Sequence, residues 1–134
     1  MADNFSDVVM KWVTAEKERH LRVFRETAQR TIQVSQDLVP VVTGYLRWTG
    51  TVSLGEPGLA VTYPPDGPAT YKYDAGQTDL KIAAAGLDDV IYFVWTANYA
   101  PYVEAHRGFV RLAGQQFPQI LNAVAIEAAG RASK

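Results

Sequence analysis

The sequence predicts an α+β fold, in which a long N-terminal helix and a C-terminal helix pack on a small antiparallel sheet beside a long irregular loop. Three observations predict it. Apolar residues recur every three or four positions over residues 5–38 and again over 109–128, the period of a helix. Residues 45–54 alternate apolar and polar, the period of a strand. Val90–Thr96 is apolar at odd and even positions alike, so this strand is expected to need cover on both faces.

Taken in order, the first helix is expected over Phe5–Leu38. Phe5, Val9 and Trp12 mark one end of its apolar stripe, and Leu21, Phe24, Ala28, Ile32 and Leu38 mark the other. Thr14–His20 between them is almost wholly polar, but no Gly or Pro occurs before Pro40, which favours an unbroken helix. Such a helix is about 50 Å long at 1.5 Å per residue. That is more than a domain of 134 residues can cover, so part of it is expected to contact something else. Pro40 ends it, because the residue before a proline is pushed out of the helical region.

Thr43-Gly44 makes the turn into a strand over Tyr45–Leu54. Leu46, Trp48, Val52 and Leu54 are expected inward, and Tyr45, Arg47, Thr49, Thr51 and Ser53 outward. Gly50 falls on the inward row without a side chain, which suggests a bulge or a close backbone approach. Residues 55–77 form the irregular part, with Pro57, Pro64, Pro65 and Pro68, a short strand over Leu59–Tyr63 and a turn at Pro64–Pro68. Tyr63, Tyr71 and Tyr73 in this loop offer wide apolar area with a polar tip, the chemistry of a contact surface.

Thr78–Leu87 fits both a helical face and a strand. Three consecutive alanines favour a short helix capped by Thr78. Asp88-Asp89 turns the chain into the double-faced strand, with Ile91, Phe93 and Trp95 on one side and Val90, Tyr92, Val94 and Thr96 on the other. A turn through Asn98 and Pro101 and a charged corner at Glu104–Arg107 are expected next. The last helix runs over Phe109–Ala128 with a kink at Pro118, and Gly130–Lys134 forms a frayed tail. The 134 residues form a single domain, with the sheet and loop within 45–97, no internal repeat and no linker.

Composition narrows the function. Apolar residues make up 48 % and charged residues 20 %, as in a soluble globular protein. Net charge is −1 with both signs mixed along the chain, which disfavours sequence-specific nucleic-acid binding. The absence of cysteine excludes disulfides and thiolate chemistry. The start, MADNFSDVVMKWV, lacks the pattern of a signal peptide, and no apolar run approaches the roughly 20 residues of a membrane span, so residence in a cytosol is expected.

Glu104 and His106 are the one pair with the look of an acid–base couple, but no serine or cysteine stands near to complete a catalytic set. Pairing of Glu104 with Arg107, Arg111 or Arg47 in a structural corner is the favoured reading. His20, among Glu16, Glu18, Arg19 and Arg22, reads as part of a solvated helix face, and a metal held by His20 and Glu16 alone lacks ligands. Neither metal nor cofactor is expected. Trp12, Trp48 and Trp95 are assigned to the core. Tyr45, Tyr92, Tyr99 and Tyr102 are assigned to protein contacts, with Tyr63, Tyr71 and Tyr73 from the loop and Arg47, Glu104 and Arg107 beside them.

The order of motifs adds a resemblance. The long helix ends in Val39-Pro40-Val41-Val42-Thr43-Gly44-Tyr45-Leu46-Arg47. Thr96-Ala97-Asn98-Tyr99-Ala100-Pro101-Tyr102-Val103-Glu104 follows the last strand, and Gly108-Phe109-Val110-Arg111-Leu112 opens the final helix. This series resembles the small neck and tail-completion proteins of long-tailed bacteriophages, the head–tail joining group that includes minor tail protein Z-like proteins. The resemblance implies a structural virion protein without enzymatic activity, made in the host cytoplasm and built into the neck or tail. It implies a homo-oligomeric ring, a hexamer, through which DNA passes, with head-closure, tail-terminator or tail-tube proteins as neighbours. Alternatives are a tail terminator capping the tube, a phage-encoded module binding a host protein, and a small hydrolase using Glu104 and His106.

Overall fold

The computed structural model describes residues 4–58, 60–67 and 69–132. Asn4 begins the first helix: its side-chain oxygen accepts a hydrogen bond from the Asp7 amide at 2.9 Å. From there α1 (Phe5–Leu38) runs unbroken, through the polar stretch at Thr14–His20 as well. Val39 is extended, as a residue before proline must be, and closes the helix with a hydrogen bond from its N–H to the Gln36 carbonyl.

The chain then departs from the expected strand. Gly44 adopts a left-handed conformation with φ of 85°, where a Cβ would run into the Tyr71 carbonyl. It starts a single helical turn, α2 (Tyr45–Trp48), before β1 (Gly50–Leu54). The turn is favoured because it buries the neighbours Tyr45 and Leu46 together, whereas a strand would send them to opposite faces. It also brings Arg47 back to α1, where its guanidinium donates to the Gln36 carbonyl at 2.9 Å and the Val39 carbonyl at 3.4 Å. Arg47 thus adds a second donor to the Gln36 carbonyl, which already accepts from the Val39 amide, and reaches the carbonyl of Val39 beyond it. Thr49, expected outward, is buried, with its hydroxyl donating to the Leu46 carbonyl.

β1 pairs antiparallel with β2 (Ile91–Trp95), Gly50 opposite Trp95 and Leu54 opposite Ile91, and among the described residues these two strands are the sheet. Of the expected strand at residues 59–63, Leu59 lies outside the described residues. Thr62 alone forms a parallel bridge, its amide donating to the Thr96 carbonyl and its carbonyl accepting from Asn98. Pro68 also lies outside the described residues; within the expected turn, Gly67 has a positive φ. α3 (Ala75–Ala83) starts earlier than expected, because Asp74 caps it and Thr78 is buried inside it. Arg25 of α1 grips the Ala85 carbonyl with two donors, at 3.0 and 2.7 Å, and so ties the end of α3 to the long helix.

The expected turn and charged corner after β2 is instead a helix, α4 (Ala100–Arg107), with Pro101 in its first turn, where a missing amide costs nothing. Gly108, left-handed at φ of 60°, ends it and leads directly into α5 (Phe109–Ala132). α5 continues through Pro118 and through Gly130 to Ala132, four residues past the expected end. Ser133 and Lys134 of the expected frayed tail, like Met1–Asp3, lie outside the described residues.

Two apolar clusters hold the elements together. Val39, Tyr45, Leu46, Ala97, Ala100 and Phe109 join the end of α1 to α4 and the start of α5. Ile32, Val52 and Ile82 join α1 to β1 and α3, with Phe93 and Ile91 of β2 against them. α5 lies antiparallel along the second half of α1: the Ser35 hydroxyl donates to the Phe109 carbonyl, and Arg30 reaches Glu127 at 2.6 Å and Glu26 at 2.8 Å. Along the first part of α1, Phe5, Val8 and Trp12 are exposed.

Candidate subunit interface

The overhanging end of α1 carries an uncovered apolar face. Phe5 is 83 % exposed and Trp12 is 65 % exposed, with Val8 more than half and Val9 over a third exposed beside them; Met10, also exposed, lies toward the opposite side of the helix. At a helix's 3.6 residues per turn, Phe5, Trp12 and Val23 fall nearly on one line. Val23 looks across to Leu121, Ala125 and Ala128 of α5. The bare stripe is thus a continuation of the side of α1 that α5 covers farther along.

Beside this stripe, the seam between α1 and α5 is open. Two adjoining hollows of about 480 and 660 Å³ share Phe24 and Leu121 in their walls. The first is walled almost wholly by apolar groups, among them Ile32, Val90, Phe93 and Phe117. The second extends to Arg19 and His20 at the outer end of α5. Together they form a trough spanning residues 19–32 of α1, about 20 Å at 1.5 Å per residue. The hydroxyl of Thr27, beneath this trough, is buried without a hydrogen-bond partner.

The residues assigned to contacts from sequence separate into two groups. Tyr45 is only 3 % exposed and packs edge-on against Tyr71 with ring centroids 5.1 Å apart, so it belongs to the core. Tyr99 is half-buried against Tyr45, and burial, followed by the nearness of Tyr45, pushes its phenol above the ordinary value. The Tyr73 phenol is pushed up chiefly by burial, while its 2.6 Å bond to the Thr78 hydroxyl opposes the shift. Arg47 serves the end of α1, as described. Tyr63 and Tyr102 are largely exposed, Arg107 is exposed, and Tyr92 stays half-buried on the outer row of β2 with Val94.

Glu104 pairs with backbone rather than with an arginine. Its two carboxylate oxygens accept from the amides of Val110 at 2.9 Å and Arg111 at 3.1 Å, capping the positive end of α5. The tight α4–α5 junction at Gly108 points those free amides back at α4, where Glu104 meets them before any arginine does. His106 is turned elsewhere: its Nδ1 lies 2.9 Å from the Tyr102 carbonyl and its ring stacks on Tyr102. Among the described residues no group of three His, Cys, Asp or Glu is placed to hold a metal ion. No described helix is long and apolar enough to cross a membrane.

The tryptophans divide as well. Trp95 packs between Phe93 and Phe109 and donates its indole N–H to Gln36 at 2.8 Å. Trp48, 48 % exposed, and Trp12 are surface residues, against expectation. Helical period put Trp12 on the apolar stripe, but nothing in the period says where the covering helix stops. Gln36, 1 % exposed, is a buried polar residue that nothing in the sequence marks, since a lone glutamine in a helix carries no local signal of burial.

Compared with protein-family models, with curated proteins and with solved structures, the chain matches none.

Proposed function

We propose that this protein is a structural, ring-forming subunit of the neck or tail of a long-tailed bacteriophage, a tail-completion protein that joins tail to head. The observation that carries the reading is the bare apolar end of α1, which its own chain leaves uncovered. A patch of that kind on a folded chain marks a place for another protein. The motif series ending in Pro40–Arg47, Asn98–Glu104 and Gly108–Leu112 supplies the phage assignment. The mechanism is interface formation, with no bond made or broken. Head-to-tail contacts between identical subunits close into a ring when the rotation between them allows. Head-closure, tail-terminator or tail-tube proteins are the proposed neighbours.

Light scattering on the purified chain and gold labelling of assembled particles test this. The expected result is a multimer of defined size and label between head and tail. A chain that stays monomeric and attaches to neither would overturn the proposal. Label on free tails, at the end that meets the head, would move the assignment to a tail terminator.

A further inference from the structure

The bare stripe and the open trough lie on the same molecule, and each has what the other lacks. The stripe is a convex run of apolar side chains about 10 Å long from Phe5 to Trp12, at 1.5 Å per residue. The trough is a concave apolar seam about twice that length. Aromatic side chains bury roughly 150–250 Å² each. Phe5 and Trp12, with Val8 and Val9 beside them, therefore offer a large share of the roughly 800 Å² per partner in a stable interface.

The stripe cannot reach its own trough. Phe5 and Phe24 belong to one uninterrupted helix, which holds them about 28 Å apart. We infer that the overhanging end of α1 in one copy docks into the α1–α5 trough of a second copy. The stripe then meets apolar walls continuous with those that already pack α5 on α1, sitting over Phe24, Phe117 and Leu121. Where the same two copies do not exchange knobs, the contact is heterologous, and an open series keeps one free knob at one end and one free hollow at the other until a ring closes. This rests on the self-assembling part of the proposed function and not on its phage assignment.

Two substitutions separate the halves of the contact. Trp12→Asp removes the knob and keeps the trough; Leu121→Asp removes the trough and keeps the knob, with Phe117→Asp as a second trough variant should Leu121→Asp unfold by circular dichroism. Each alone should weaken association roughly tenfold or more. A mixture of a knob variant and a trough variant should form a dimer with one intact contact and no larger species. The absence of cysteine allows a second readout: Val9→Cys mixed with Ala125→Cys, which keep Trp12 and Leu121 in place, should give a mixed dimer with a short bismaleimide. A Val9→Cys homodimer in greater yield would indicate stripe against stripe and overturn the inference. So would trough variants that assemble like the unaltered chain, a result that leaves the ring proposal standing. An unaltered chain monomeric at its highest soluble concentration would also overturn it, and label missing from particles would then remove the ring proposal as well.

Discussion

Gln36 links three segments that are far apart in the chain. Its side chain donates to the Arg47 carbonyl at 2.9 Å and accepts from the Trp95 indole at 2.8 Å, while its own carbonyl accepts from Arg47. Replacing it with leucine takes a hydrogen bond from two half-buried partners, the Arg47 carbonyl and the Trp95 indole, at a cost of about 0.5–1.5 kcal/mol each. Denaturant titration of Gln36→Leu should show a loss of that order. Gly50→Ala should destabilise for a related reason, since a Cβ there would sit 2.5 Å from the Gln36 amide nitrogen and 2.7 Å from the Phe93 ring. Thr27→Val is expected to be neutral or stabilising in the same assay, because it removes a buried hydroxyl that has no partner.

Tyr73 and Tyr99 add a dependence on pH at this scale. Both phenols are raised in the folded chain, mainly by burial. The unfolded chain therefore loses these protons first as pH rises through the ordinary tyrosine value near 10. Their contribution to stability is intact below that pH and declines above it. Ultraviolet titration of tyrosinate should show late-ionising phenols, and the thermal midpoint should fall over the same range. A midpoint that rises there would contradict the assignment.

At the scale of elements, the α4–α5 junction depends on a cap supplied from outside the helix it serves. Glu104 is held by α4 and satisfies the first free amides of α5. Glu104→Ala should cost about 1 kcal/mol, and hydrogen exchange should speed up at the Val110 and Arg111 amides before it does elsewhere in α5. The junction shows how short segments escape a pattern reading. Pro101 reads as a breaker in sequence, yet in the first turn of a helix it is favoured. Tyr45–Trp48 reads as the start of a strand because four residues fit either period; burial of Tyr45 with Leu46 and the return of Arg47 to α1 select the helical turn.

At the scale of the molecule, α1 and α5 differ in length, and that difference leaves the N-terminal end of α1 bare. Substituting serine for both Phe5 and Trp12 should change the stability of a single folded chain by no more than about 0.5 kcal/mol, since neither side chain is buried there. The same substitutions should abolish self-association measured by sedimentation. Because the docking proposed is apolar, association should persist when salt is raised to about 1 M, where exposed ion pairs are screened within a few ångströms.

The α+β class, the extent of α1 from Phe5 to Leu38, the close approach at Gly50 and the alternating rows of β2 were all legible in the sequence. They rest on helix and strand periods and on breakers that act within a few residues of themselves. Only the tertiary structure decided that Trp12 is bare, that Tyr45 is buried, that Glu104 caps α5 and that Gln36 joins three segments. Each of these depends on which element ends beside which, and a period along one helix carries no record of where its neighbour stops.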